Sequence, residues 1–291
     1  NEADVVLTLN VIPRTTKKLW RYIGDTSWYN ETDSEFVLKT AAELGGLEKL
    51  VNEGTSFAGK TVKLGCDVSL ANSDGTSGKR FWDGLGTEAH PFDGIFDGQG
   101  FKITDYSGNS YGFFAYVYGS STQRAAVKNL EIYGISTGTE ASGLVSRAKY
   151  ADISDVTSYC RVKDGTGHSG GITGYASSET VITRCISYAK ITGLSYVGGI
   201  VGELSAGSQG SDCVFYGGIE CRNEGGNNVG GVCGSTSGVI ERCANYGSIE
   251  AWGRNLGGVA GQSVSKSAKI VDCYNAGEIF FDRGSNTYDS I

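Results

Sequence analysis

Gly198-Gly199-Ile200-Val201-Gly202 is the stretch that decides the fold, because its pattern of two small residues, an aliphatic or aromatic residue, a variable residue and a small residue returns along most of the chain. From copy to copy, the second small residue advances by 27 to 32 residues. Self-similarity at a nearly fixed period is the mark of a repeat protein. Further copies lie at 170–174, 230–234 and 257–261, and degenerate copies precede them at 111–115 and 142–146.

A second motif is interleaved with the glycine motif. It consists of Ile, two variable residues and Cys, followed by another Ile six residues after the Cys, as in Ile182, Cys185 and Ile191. Two motifs that share one period of about 28 residues indicate a single repeated unit. The position of the Cys is called the ladder position; from copy to copy it advances by 26 to 30 residues, and its other occupants are Leu130, Val156, Cys213, Cys243 and Cys273.

The repeated unit is rich in β-forming residues, is bounded by glycine and lacks the apolar spacing of a helix. A period of about 28 residues suits one coil of a three-sided parallel β-helix. We therefore predict an all-β fold, a right-handed parallel β-helix, with roughly six or seven coils between Phe92 and Ile279. Coils stacked at about 4.8 Å would place side chains one period apart in columns, and we expect the motif glycines at the corners.

An N-terminal capping helix is predicted ahead of the repeats. Thr40 and Glu43 have the spacing of a capping box, and apolar residues follow them at helical intervals. We expect this helix, at 41–52, to cover the open end of the β-helix, because an uncovered end would expose unpaired strands. Residues 71–90 are predicted to be a polar loop.

The chain divides into an N-terminal extension at 1–33 and the parallel β-helix at 34–291. Within the extension, Asp4–Val11 alternates as a strand does, and it belongs either to the cap or to a preceding β-domain. The first coil is expected to start with Val62–Leu64 and Val68–Leu70.

Composition narrows the functional classes. Hydrophobic residues make up 39% of the chain and charged residues 20%, as in folded proteins. The net charge of −7 argues against nucleic acid as a partner, because phosphate binding needs clustered cations. No apolar run reaches the roughly 18 residues of a membrane-spanning helix. The chain has no Met, so we expect a processed chain from which a signal peptide has been removed.

The glycine motif, interleaved with Ile-x-x-Cys-x-Asn, resembles the GLUG-type repeat of bacterial surface proteins. Phe92–Ile103 resembles the segment that opens such arrays, and Ala41–Asp67 resembles the cap that precedes it. The resemblance covers roughly residues 34–280 and implies a pectate-lyase-like β-helix on a bacterial cell surface. Such repeats occur in adhesins and in accessory parts of immunoglobulin-cleaving peptidases, and the family has no shared catalytic residues to transfer.

The cysteines at the ladder position form a predicted column. A metal site or a chain of disulfides is conceivable, but metal sites need convergent ligands and parallel Cβ vectors give poor disulfide geometry. We interpret the column as small buried hydrophobic residues. The redox state of the other cysteines is left open. The column is Cys185, Cys213, Cys243 and Cys273, and the other cysteines are Cys66, Cys160, Cys221 and Cys233.

The residue before each ladder position alternates in charge from coil to coil. In register, each carboxylate would lie between cations of the neighbouring coils, which would stabilise stacking modestly and fix its register. The Arg neighbours would lower the carboxylate pKa values, whereas a general acid needs a raised pKa. We therefore interpret this charged row as structural. The charged row is Asp155, Arg184, Asp212, Arg242 and Asp272.

A tyrosine stands three residues after most ladder positions. Stacked rings could form a flat strip that binds sugars through C–H contacts, or a packed corner stack. This tyrosine row is the best candidate for a ligand-binding surface, since its hydroxyls can reach solvent. The last coil departs from the pattern, with Ala276 at this position and Tyr274 earlier. The tyrosine row is Tyr133, Tyr159, Tyr188, Tyr216 and Tyr246.

Other sites are not expected. Neither His90 nor His168 has a His or Cys at ligand spacing, so we expect both to be ordinary surface residues. The glycine motifs lack the Lys-Ser/Thr and the strand–turn–helix context of a phosphate loop. We predict no catalytic residues, no metal and no cofactor.

These observations predict an extracellular, cell-surface, adhesin-like binding module for a glycan or a host or matrix protein, and not an enzyme. The ligand and the oligomeric state are left open. One alternative is a polysaccharide lyase or glycosidase, which needs unpaired carboxylates or a calcium-supported base in a groove. Another is a passive stalk or accessory region of a larger surface protein. The best acids for the enzymatic alternative are Asp93, Asp97, Asp152 and Asp164.

Overall fold

The computed structural model shows a chain built almost entirely from short strands, with one helix and thirty strands in the part that it describes. The strand predicted at Asp4–Val11 lies outside the described residues, as does most of the extension at 1–33. The described residues are 24–71, 82–164, 167–221, 227–252 and 254–281.

The helix is α1, Ala41–Asn52. The strands follow in chain order. They are β1 (Glu35–Leu38), β2 (Thr61–Leu64), β3 (Val68–Ser69), β4 (Ile95–Asp97), β5 (Lys102–Tyr111), β6 (Phe114–Tyr118), β7 (Ala125–Glu140), β8 (Val145–Lys149), β9 (Ala151–Ser158), β10 (Arg161–Asp164), β11 (Ser169–Gly170), β12 (Thr173–Ser177), β13 (Val181–Thr183), β14 (Ile186–Ser187), β15 (Lys190–Thr192), β16 (Ser195–Gly198), β17 (Val201–Leu204), β18 (Gln209–Ser211), β19 (Val214–Phe215), β20 (Gly218–Cys221), β21 (Asn227–Gly230), β22 (Cys233–Thr236), β23 (Val239–Glu241), β24 (Ala244–Asn245), β25 (Ser248–Ala251), β26 (Arg254–Gly257), β27 (Ala260–Ser263), β28 (Lys269–Val271), β29 (Tyr274–Asn275) and β30 (Ile279–Phe281).

The strands stack into a parallel β-solenoid of about eight turns. Each strand pairs in parallel with the strand one coil away, so that Ile182 lies beside Gly210 and Gly210 beside Ile240. The described strands form one sheet of four, one of six and one of twenty. The all-β parallel solenoid predicted from the repeat is therefore confirmed.

The core consists of columns of aliphatic side chains, one from each coil. Val162, Ile191, Ile219 and Ile249 are neighbours in register and are at most 2% exposed. Burial of such side chains contributes roughly 25 cal/mol per Å² of apolar area, which makes these columns a main source of stability. Ile279 continues the column but is 41% exposed, because no described coil covers it.

The motif glycines lie at bends between two sheets, where there is no room for a Cβ. A Cβ on Gly199 would lie 2.2 Å from the carbonyl oxygen of Gly231 in the next coil and 2.2 Å from the ring of Phe215 across the core. In the described coils, the motif glycines do not have left-handed φ angles, whereas Arg184 at a corner does, with φ of 52°. The expectation that these glycines occupy the corners is confirmed, because the four glycine pairs lie at the bends that join a strand of the four-stranded sheet to the next strand of the six-stranded sheet, as between β16 and β17.

The predicted helix begins at its capping box. The N–H of Glu43 donates to the Thr40 hydroxyl, and the Glu43 carboxylate accepts from the N–H of Thr40. Leu44 and Leu47 are fully buried. The solenoid starts earlier than predicted, because β1 precedes the helix and pairs in parallel with β2. Within the described ranges the chain has no helix with the length and apolarity that a membrane crossing demands.

The described part of the predicted polar loop contains core residues. Trp82 is 2% exposed, stacks on Phe113 with ring centroids 4.5 Å apart, and donates its indole N–H to the Phe113 carbonyl oxygen. Leu85 is fully buried beside Phe114. This segment therefore anchors the early coils.

Candidate functional site

The tyrosine row is a continuous ladder on the outside of the solenoid. The backbone N–H groups of Tyr188, Tyr216 and Tyr246 each donate to a carbonyl of the preceding coil at 2.8 Å, so the rings stand on consecutive rungs. Tyr159 and the three later tyrosines are 40–45% exposed. The sequence left open whether these rings were inside or outside the solenoid, and the structure places them outside.

The rings stack face to face along the ladder. Ring centroids are 4.5 Å apart for Tyr133 and Tyr159, 4.9 Å for Tyr159 and Tyr188, 5.2 Å for Tyr188 and Tyr216, and 5.1 Å for Tyr216 and Tyr246, with interplanar angles of 3° to 14°. Each ring therefore covers the face of the next one. The ladder offers ring edges and phenolic hydroxyls to a ligand, and not the broad ring faces on which sugars usually stack.

The two ends of the ladder differ. The Tyr133 hydroxyl donates to Glu131 at 2.8 Å, and the Lys102 ammonium lies 5.8 Å from the Tyr133 ring centroid. Burial and this hydrogen bond raise the Tyr133 pKa. At the other end, Tyr274 meets Tyr246 edge to face, with centroids 5.4 Å apart at 89°. The parallel stack thus runs from Tyr133 to Tyr246.

The charged row lies at a corner of the solenoid. All five of its residues have left-handed φ angles of 49° to 56°. Arg184 forms two hydrogen bonds of 2.7 Å to Asp155 of the preceding coil, and Arg242 forms bonds of 2.7 and 2.9 Å to Asp212. Among the described ion pairs, each Arg thus pairs with the Asp one coil earlier. Asp212 lies between Arg184 and Arg242, as expected, and the hydrogen bonds from Arg242 and the charge of Arg184 both lower its pKa.

These pairs make the carboxylates unsuited to acid catalysis. The hydrogen bonds from Arg184 lower the pKa of Asp155, and those from Arg242 lower the pKa of Asp212. A general acid has to hold a proton near the working pH, which requires a raised pKa. Both pairs are exposed to solvent, which weakens their contribution to stability.

The column cysteines stand in one column and are free thiols. Their successors are register partners, Ile186 with Val214 and Val214 with Ala244. Hydrogen bonding to the Cys185 thiol raises the pKa of Cys213. A protonated, buried thiol is a poor nucleophile and a poor metal ligand.

The cysteines outside the column are also free. Burial raises the pKa of Cys160 to about 12 and that of Cys221 to about 11, and burial raises the pKa of Cys233 as well. Cys66 is half-buried, with its thiol donating to the Lys39 carbonyl oxygen at 3.2 Å.

The thiols should therefore react in two classes. We expect Ellman's reagent at about pH 8 to modify Cys66 and Cys273 first, because these two are half-buried while the other six are buried. All eight should react after unfolding in guanidinium chloride. Cys66→Ser should remove one fast thiol and leave the slow class unchanged. Fast reaction of six or more thiols in the native protein would contradict the assignment.

A second group of polar and aromatic side chains, the aromatic–ionic cluster, is centred on the six-stranded sheet. The Arg147 guanidinium carbon is 5.5 Å from the Tyr175 ring centroid and pairs with Glu140. His168 Nε2 lies 2.8 Å from a Glu203 carboxylate oxygen. The cluster comprises Glu140, Arg147, His168, Tyr175, Tyr196 and Glu203.

The geometry of the cluster leaves neither nitrogen of the His168 ring free for acid–base catalysis. His168 packs between the rings of Tyr175 and Tyr196, and its Nε2 is engaged by Glu203. Its Nδ1 is buried and has no hydrogen-bond partner among the described residues. Neither ring nitrogen is thus free to accept a proton from a substrate. His168 is also not the ordinary surface residue that the sequence predicted.

Sequence analysis missed this cluster, although the spacing of three of its residues could have revealed part of it. Arg147, Tyr175 and Glu203 are spaced by one period and are register partners on consecutive coils. His168 and Glu140 reach them from other positions of the coil, which the period does not reveal. His90 is exposed, as expected.

The acids considered for an enzyme are dispersed and engaged. Asp93 accepts from Ser56 and from the Phe57 N–H, and Asp152 holds Arg124 through three hydrogen bonds. Asp97 is 6% exposed and accepts from Asn129. The Asp164 side chain lies outside the described part of the structure. No group of three or more His, Cys, Asp or Glu residues could hold a metal ion within the described ranges.

Comparison with known proteins yields a match in structure. No protein-family model matches the chain, and no curated protein matches it in sequence. The crystal structure at 1.30 Å of a candidate immunoglobulin A1 protease from Bacteroides ovatus aligns with a TM-score of 0.64. It is 18% identical, and the alignment covers 88% of this chain and 80% of that one. At this identity the likeness supports the solenoid fold alone.

Proposed function

We propose that this chain is an extracellular, adhesin-like binding module and that the tyrosine row is its ligand-binding surface. The observation that carries the proposal is the uninterrupted ladder of exposed rings from Tyr159 to Tyr246. Contiguous exposed apolar patches mark interaction sites, and solenoids use such extended faces for recognition.

Binding fits the molecule better than catalysis does. In the charged row, arginines lower the pKa values of Asp155 and Asp212. The Cys213 thiol has a raised pKa, and both nitrogens of His168 are occupied or buried. The structural neighbour is named as a candidate immunoglobulin A1 protease. That name is consistent with this chain being an accessory region of a larger surface protein.

A double substitution of the ladder tests the proposal. We expect Tyr188→Ala with Tyr216→Ala to weaken ligand binding about tenfold or more, because two adjacent contact residues are lost from the middle of the row. The chain would be screened against immobilised polysaccharides, matrix proteins and immunoglobulins, and affinity for each captured ligand measured by surface plasmon resonance.

Tyr175→Ala is the matched control, since Tyr175 belongs to the aromatic–ionic cluster on a different sheet. It should retain the affinity of the unmodified chain. Equal losses in the control and the double variant, or a screen in which nothing binds the unmodified chain, would favour a passive stalk instead.

A further inference from the structure

A trough runs along the solenoid between the tyrosine row and the charged row. Its floor consists of the residues that directly follow the ladder positions, which point outward because side chains alternate along a strand. These floor residues are shorter than the side chains on either side, and they are half-buried or buried. The floor comprises Thr157, Ile186, Val214 and Ala244.

The two ends of the trough are distinct. Tyr274 occupies the next floor position, is 49% exposed and stands edge-on against Tyr246, which closes the C-terminal end. The N-terminal end opens into a depression of about 510 Å³, which shares Asp155 and Thr157 with the trough. Between these ends lie four rungs, or about 14 Å from the first to the last. The other residues lining the depression are Gln99, Gly100, Asn129, Leu130 and Glu131.

The lining of the trough selects for a flat ligand with two kinds of surface. The floor is largely aliphatic, so it favours an apolar ligand face. One wall presents phenolic hydroxyls, and the other presents the carboxylates and guanidinium groups of the charged row. A β-linked pyranose with equatorial substituents matches this apolar floor and these polar walls, because it has C–H groups on its faces and hydroxyls on its edges.

The period of the trough fits such a chain of sugars. The rings repeat every 4.5 to 5.2 Å, and an extended β-1,4-linked chain advances by nearly the same length per sugar. Alternate sugars of that chain are turned over, and the charged wall alternates Asp and Arg with the same two-step repeat. An extended peptide advances about 3.3 Å per residue and falls out of step with the rungs.

We propose that the trough binds an extended β-1,4-linked glycan parallel to the solenoid axis, with one sugar on each coil. This inference rests on the proposed function, since it names the ligand of the tyrosine row. The sugar faces lie on Ile186, Val214 and Ala244. Their hydroxyl edges contact the tyrosine hydroxyls on one side and the Asp–Arg pairs on the other.

Titration calorimetry of the full chain with cellohexaose and chitohexaose tests the ligand class, and maltohexaose is the control. Maltohexaose has α-1,4 links and curves, so it cannot follow a straight trough. We expect at least one of the β-1,4-linked hexasaccharides to bind and maltohexaose not to bind. Affinity should rise with chain length and level off at about four sugars, because four rungs form the trough.

Removing only the hydroxyls tests the wall. Tyr188→Phe with Tyr216→Phe keeps the stacked rings and should weaken the β-1,4-linked hexasaccharide about tenfold, from the loss of two hydrogen bonds. Tyr175→Phe is the matched control and should bind as the unmodified chain does.

The outcomes separate the two proposals. If no β-1,4-linked hexasaccharide binds, or maltohexaose binds equally well, the inference about the glycan is overturned. The proposed function still stands in that case if the Tyr188→Ala and Tyr216→Ala variant loses another ligand of the screen. If cellohexaose binds but the Phe variant binds it unchanged, the trough is not the site.

Discussion

Replacing Gly199 with Ala is expected to lower the free energy of unfolding by about 3 kcal/mol. The new Cβ would overlap the backbone oxygen of Gly231 and the buried Phe215 ring, each at 2.2 Å. The backbone cannot yield locally, because Gly231 belongs to the next coil of the same stack. Urea unfolding followed by circular dichroism should show the lower midpoint, and the variant should also lose yield on expression.

Gly210→Ala is the matched control for this prediction. Gly210 lies one coil step from both Ile182 and Ile240, and a Cβ built on it meets nothing within 4 Å. The same substitution there should leave stability unchanged or raise it by about 0.4–1 kcal/mol, because Ala restricts the unfolded chain. Equal destabilisation at both glycines would show that the loss comes from replacing any strand glycine with alanine, and not from the close contacts around Gly199.

Trp82→Ala should lower the free energy of unfolding by about 3–5 kcal/mol, since it removes a fully packed indole from the core. The ring covers Phe113 and donates a 2.7 Å hydrogen bond to the carbonyl oxygen of the same residue. The loss should be concentrated in the early coils, because a solenoid is stabilised mainly by contacts between neighbours. Amide hydrogen exchange would locate the loss of stability. We expect faster exchange of the backbone amides in β5 and β6 and little change in β24 and β25.

Trp82→Phe separates packing from hydrogen bonding. It keeps an aromatic ring against Phe113 but removes the indole N–H, which leaves the carbonyl oxygen with the Leu85 N–H as donor, so we expect a smaller loss of about 1–2 kcal/mol. A Trp82→Ala variant as stable as the unmodified chain would mean that the segment before Phe92 is a dispensable loop.

Much of the fold could be predicted because a solenoid is a one-dimensional structure. A period near 28 residues dictates which side chains lie above one another, so Cys185 and Cys213 could be placed in one column from spacing alone. The capping box at Thr40 is likewise a local signal and needs no tertiary information. Trp82 could not be placed, because it contributes one isolated bridge in a polar segment that has no periodic pattern.

The candidate site divides in the same way. Spacing identified the tyrosine row and the charged row, but it could not show that Arg184 pairs backward to Asp155 or that left-handed corners carry both residues. The aromatic–ionic cluster was missed because His168 and Glu203 meet from different positions of adjacent coils.

The sequence by itself determined the coil, the columns and the residues that line each column, since a repeat fixes stacking as soon as its period is known. Only the tertiary structure decided which surfaces those columns present. The tyrosine rings turn their faces to one another and their edges to solvent, because side-chain torsions and the distance between coils govern ring orientation, and neither is encoded in spacing. The glycine pairs likewise owe their identity to close approaches within the bend, across the coil and to the next coil, distances that exist only in the folded chain.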